Sequence, residues 1–74
     1  MDCQVETYSG SRLHEHPRRF TWEDRWLEVS RILNRWRDPD HLYFKVRAAD
    51  GRTYLLIYHC RRDAWEAQIS GAAE

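Results

Sequence analysis

The sequence predicts a mostly β domain, a single small antiparallel sheet bent around an aromatic core. Three observations carry this. Two runs of aromatic and β-branched residues, 42–48 and 53–60, flank an Asp50-Gly51 pair suited to a tight hairpin turn. A third run at 64–70 alternates Trp65, Ala67 and Ile69 with polar residues. Four tryptophans, four tyrosines and two phenylalanines supply a large buried area per side chain in a chain of only 74 residues. One domain spanning 1–74, with its ordered core at about 16–70, accounts for this length.

At the N-terminus, Cys3, Val5 and Thr7 alternate with Gln4, Glu6 and Tyr8, the pattern of a short edge strand or of a frayed tail. Ser9-Gly10-Ser11 reads as a turn, and Leu13 through Pro17 as an irregular connection. Phe20 and Trp22 then share one face of another short strand. The stretch 22–37 admits two readings. Trp22, Trp26, Val29, Leu33 and Trp36 recur at helical spacing behind a Thr21-x-x-Asp24 cap, which would lay a helix on a three-stranded sheet in an α+β domain. As strands, residues 20–22 turn through Glu23-Asp24-Arg25 into 26–29, and a bulge near Ser30-Arg31 brings Ile32, Asn34 and Trp36 inward. Asp38-Pro39-Asp40 ends either element, because proline lacks a donor and restrains its predecessor.

In the central hairpin, a loop made of Asp50 and Gly51 alone sets Ala49 opposite Arg52. One face then holds Val46 with Leu55, Phe44 with Ile57, and Leu42 with His59; the other holds Arg47 with Tyr54, Lys45 with Leu56, and Tyr43 with Tyr58. The expected core is Phe20, Trp22, Trp26, Val29, Trp36, Phe44, Val46, Leu55, Ile57 and Trp65. Arg61-Arg62-Asp63 turns the chain into the last strand, and residues 71–74 form a small-residue tail.

The landmarks His16-Pro17-Arg18-Arg19-Phe20-x-Trp22, Trp26-x-x-Val29-x-x-Ile32-Leu33-x-x-Trp36-Arg37, Phe44-x-Val46 and Trp65 resemble a family of short uncharacterised bacterial domains, some of which are found near translesion polymerases and associated repair proteins. The resemblance covers about residues 16 to 68 and implies a meander of strands, with a hairpin where such sequences usually carry glycine at the position of Asp24. It implies no catalytic residues. With it the strand reading prevails, and the expected architecture is a five- or six-stranded antiparallel barrel of the SH3-like kind, with the helix at 22–37 as the runner-up.

Twelve basic and twelve acidic residues leave zero formal charge, which removes global attraction to nucleic acid or to anionic membranes. The basic set is eleven arginines and Lys45, and arginine favours stacked and bidentate contacts. Two cysteines cannot build the disulfide framework of a small secreted protein, and the opening Met-Asp-Cys-Gln-Val-Glu is neither signal peptide nor membrane span, so a cytoplasmic protein with free Cys3 and Cys60 is expected.

Chemistry-bearing clusters are sparse. His14, His16, His59 and Cys60 are zinc-compatible in type, but their spacing fits no standard site, so neither metal nor other cofactor is expected. Glu15, Glu23, Asp24, Glu28, Asp38, Asp40 and Asp63 sit mainly in turns beside arginines, and no nucleophile triad, phosphate loop or dinucleotide fingerprint occurs. The chain is therefore expected to be no enzyme. The candidate binding residues are Tyr43, Lys45, Arg47, Tyr54 and Tyr58, gathered by the hairpin onto the face away from the core. Rings and guanidinium groups on one face suit a protein partner, or alternatively weak binding of single-stranded nucleic acid extended by Arg18, Arg19, Arg31, Arg35 and Arg37.

Overall fold

A computed structural model describes residues 2–7 and 16–71. They form seven strands: β1 (Asp2–Cys3), β2 (Val5–Thr7), β3 (Pro17–Trp22), β4 (Arg25–Asp38), β5 (His41–Ala48), β6 (Thr53–His59) and β7 (Ala64–Gly71). All neighbours are antiparallel, in the order β1-β7-β6-β5-β4-β3-β2. The two outermost strands, β1 and β2, are separated in the chain by Gln4 alone, so one N-terminal stretch ties both ends of the sheet into a nearly closed barrel. At the seam, Gln4 accepts the Thr21 N–H at 2.9 Å through its carbonyl, and its own N–H donates to Thr21 Oγ1 at 2.9 Å. The expected five or six strands are thus seven, because the N-terminal stretch divides its pairing between β7 and β3. The Ser9-Gly10-Ser11 turn and His14 lie outside the described residues, as do residues 72–74.

The stretch 22–37 is strand, not helix. Glu23 and Asp24 have φ of 52° and 64° and form a two-residue turn that pairs Trp22 with Arg25. Both left-handed positions of this turn are filled without glycine. Since the turn excludes Arg25, pairing runs one residue out of step with the expectation: Leu27 meets Phe20 inside the barrel, and Trp26 points outward, 45% exposed. The helical spacing of the tryptophans therefore does not reflect a common buried face. Trp36, also expected in the core, is 45% exposed as well.

A straight strand of 14 residues would run ~46 Å, whereas the longest dimension of the molecule is 33 Å. β4 must bend, and bulges lie between Val29 and Arg31 and between Ile32 and Asn34. The first is where the sequence places it; there Ser30 Oγ donates to the Arg47 carbonyl at 3.0 Å. The first bulge keeps Ile32, like Val29, against the core, opposite Val46 and Ala48; the second turns Asn34 and Trp36, both expected inward, to the outer face opposite Lys45 and Tyr43.

The β5–β6 hairpin corrects the expected register. Only Gly51 has positive φ (86°) in this loop, and the Ala48 N–H donates to the Arg52 carbonyl at 2.9 Å, so Ala49, Asp50 and Gly51 form a three-residue loop. Glycine supplies the left-handed residue that closes such a loop. Val46 consequently faces Tyr54, Phe44 faces Leu56 and Leu42 faces Tyr58. The core contains Phe20, Leu27, Phe44, Val46, Ala48, Tyr54, Leu56, Tyr58, Trp65 and Ala67, with Trp22, Val29 and Ile32 among the residues packed against it. Ile57 is buried yet outside this cluster, and Leu55 is half-buried, because both project to the opposite face.

Candidate interaction face

On β5 the pleat sends Leu42, Phe44, Val46 and Ala48 inward and Tyr43, Lys45 and Arg47 outward. These last three stay together on the outer surface, Lys45 and Arg47 exposed and Tyr43 half-buried. The slipped register separates Tyr54 and Tyr58 from them. Tyr54 is 0% exposed, edge-on to Phe20 and to Trp22 with ring centroids 5.1 Å away in both cases, and its hydroxyl donates to Asp50 Oδ2 at 2.8 Å. Tyr58 packs against Trp65 and donates to Asp63 Oδ1. That hydrogen bond, with burial second, pushes the Tyr58 phenol up to about 12. Neither tyrosine belongs to the outer surface.

Their place beside Tyr43 is taken by Trp36, whose ring stacks on Tyr43 at 5.3 Å and 10°. The pair was legible in the sequence. Proline at the first central position suits a two-residue turn, and Pro39-Asp40 as the loop sets Asp38 opposite His41 and Trp36 opposite Tyr43. Across the sheet the next rows read Asn34, Lys45, Leu55, Gln68 and then Arg31, Arg47, Thr53. Tyr43 in turn neighbours Ile57, which neighbours Glu66. The result is an apolar centre of Trp36, Tyr43, Leu55 and Ile57, with cations on the β4–β5 side and polar groups on β7.

One end of this face carries a polar network. Asp38 accepts the Asp40 N–H, His41 Nδ1 and the Tyr43 hydroxyl, each at 2.9 Å. Desolvation opposes its ionisation, but these three hydrogen bonds outweigh it and hold the carboxyl at about 2. His41 lies edge-on to His59 at 4.9 Å, and His59 Nε2 bonds Glu66 Oε1 at 2.9 Å. Among the described residues no hydroxyl or thiol nucleophile hydrogen-bonds either imidazole, and no three metal-ligating side chains converge. The network orients Tyr43 and stiffens the hairpin end beneath Trp36.

The remaining arginines named with this face are divided. Arg19 forms a two-point ion pair with Glu6 at 2.9 and 3.1 Å, lies 4.7 Å over the Trp26 ring, and so belongs to the barrel seam. Arg31, Arg35 and Arg37 line β4. Cys3 and Cys60 are free thiols, and burial raises the Cys3 pKa to about 11. No described helix is long and apolar enough to cross a membrane.

Fold and surface together define a small, nearly closed antiparallel β-barrel with one aromatic and cationic outer face. Comparison with family models, curated proteins and solved structures finds no match to this chain, so the face is read from its own chemistry.

Proposed function

We propose that this domain is a non-catalytic interaction module that binds a protein partner through the face built on Trp36, Tyr43, Lys45 and Arg47. The observation carrying this reading is the Trp36–Tyr43 stack, half open to solvent yet held in place by Asp38. A pre-ordered aromatic pair rimmed by cations has the composition of an interface centre, and its ordering cost is already met before binding. Free thiols suit a reducing compartment, so the site of action on this reading is the cytoplasm. The SH3-like identity of the barrel and the repair-associated bacterial setting belong to the same proposal.

The test is capture from the native host with wild-type protein and a Trp36→Ala/Arg47→Glu variant, each carrying a photo-crosslinker in place of Leu55. A partner crosslinked by wild type and lost in the variant supports the reading; equal recovery removes this face. Weak single-stranded nucleic-acid binding is the second reading, favoured by Arg31, Lys45 and Arg47 around the same stacked rings. Fluorescence anisotropy at two salt concentrations tests it: affinity should fall with salt, and Arg47→Ala should lower both affinity and salt slope.

A further inference from the structure

The two edges of β4 are used unequally. β3 pairs with it only from Arg25 to Glu28, while β5 pairs with it from Val29 to Asp38. From residue 30 to 38, the edge facing away from β5 therefore has no strand partner among the described residues. Every residue from 33 to 38 is exposed. Among the described residues this edge presents backbone N–H and C=O groups to an incoming strand, except the Arg35 N–H, which donates to Asn34 Oδ1 at 2.8 Å until a strand carbonyl displaces that side chain.

The side chains along it specify the strand it suits. Arg31 and Trp36 lie on the outer face, opposite Arg47 and Tyr43, while Arg35 and Arg37 lie on the other face, opposite Phe44 and Leu42. Among the described residues none of these three arginines is in an ion pair. Asp38, the one acid in this stretch, is already occupied by Asp40, His41 and Tyr43. Cations on both faces of one edge call for carboxylates at successive positions of an incoming strand, since its side chains alternate between faces. A second copy of β4 would bring the same arginines against these, which disfavours self-pairing. A sugar–phosphate chain has acceptors for the arginines but no amide N–H donors for the β4 carbonyls.

We propose that the open edge of β4 binds an extended acidic peptide segment of another protein by strand addition, with Arg31, Arg35 and Arg37 receiving its carboxylates and Trp36 covering an aliphatic side chain. This rests on the interaction-module reading and names the partner's chemistry.

The test titrates the whole chain with an acetylated peptide of Glu-Asp-Val repeats long enough to span residues 30–38, followed by calorimetry and backbone amide NMR. Three comparison ligands are used: the same peptide with Gln and Asn replacing its acids, the acidic peptide with alternate amides N-methylated, and an oligothymidylate of equal length. Expected are saturable binding, slowed amide exchange confined to residues 30–38, and at least about tenfold weaker binding of both altered peptides. Arg35→Glu/Arg37→Glu, two exposed positions whose reversal leaves the urea midpoint in place, should weaken the acidic peptide by a similar factor. No binding, or equal binding of the Gln/Asn peptide, overturns the acidic specificity. Equal binding of the N-methylated peptide overturns strand addition, and tighter oligothymidylate binding at the same amides overturns the proposal in favour of nucleic acid. A partner crosslinked through Leu55 without protection at 30–38 sinks this inference alone; absence of both sinks the module reading too.

Discussion

Tyr54 shows how much one side chain can do in a barrel this small. Its ring fills the space between Phe20 and Trp22, and its hydroxyl reaches back to Asp50, whose other oxygen accepts the Arg52 N–H at 2.9 Å. Packing and turn geometry are thus joined in one residue. Tyr54→Phe should cost about 1 kcal/mol through the lost hydrogen bond, and Tyr54→Ala about 3–5 kcal/mol through the cavity, both read from urea unfolding. Asp38 gives a pH signature. Because its folded pKa is lowered to about 2, its contribution to stability is fully present above the free carboxyl value near 4 and drains away as pH falls toward 2. Unfolding at stepped acid pH should show a smaller loss in Asp38→Asn than in wild type, the remainder coming from Glu6, Asp50 and Glu66, whose carboxyls are also held below their free values. At the thiols, iodoacetamide at neutral pH should modify exposed Cys60 well before Cys3, whose burial keeps it protonated.

At the scale of elements, the strands near 42–48, 53–60 and 64–70 were legible, whereas 22–37 showed helical spacing and read as strand only through the resemblance, and register was not legible. Alternation in 42–48 and 64–70 is visible residue by residue, as is the turn chemistry of Asp38-Pro39 and Asp50-Gly51. What sequence alone leaves undetermined is whether a loop contains two residues or three, and a one-residue change exchanges the two faces of a strand. For β6 that exchange moved Tyr54 and Tyr58 from a supposed binding face into the core, and Leu55 and Ile57 out of it. For β4 it moved Trp26 to the surface. Deleting Ala49 imposes the shorter loop and sets chain length against burial; the variant should lose at least about 3 kcal/mol and its near-ultraviolet tyrosine signal. The Glu23-Asp24 turn offers the opposite experiment. Asp24→Gly relieves a left-handed backbone at φ 64° and should stabilise by about 1 kcal/mol, seen as a higher urea midpoint.

For the molecule as a whole, zero net charge concealed a local asymmetry. Composition excludes a strong global field, but folding gathers Arg31, Lys45 and Arg47 onto adjacent rows at the β4–β5 side of one face, while Glu66 lies on its β7 side and several other acids sit in turns and at the seam. Three of the five residues singled out from sequence, Tyr43, Lys45 and Arg47, sit on that face because they alternate along one strand, where no register error can part them. Trp36 and Ile57 joined them only through pairing between strands. Closure is the other property of the whole. Asp2 pairs with Glu66 and Cys3 with Trp65, while Val5 pairs with Phe20, so removing residues 1–7 should open the barrel at both flanks and lower the urea midpoint markedly.

That seam also sets a timetable for synthesis. Local hairpins such as β4–β5 can form as soon as their residues leave the ribosome, but the partner of Cys3 is Trp65, near the far end of the described chain. Contacts so distant in sequence form late and slowly. Throughout translation of the intervening strands, the inner faces of β3 to β6, with Phe20, Leu56 and Tyr54, must wait uncovered. A nascent chain stalled before β7 emerges should therefore be protease-sensitive and engaged by chaperones, and release of a few further residues should make it resistant in a single step.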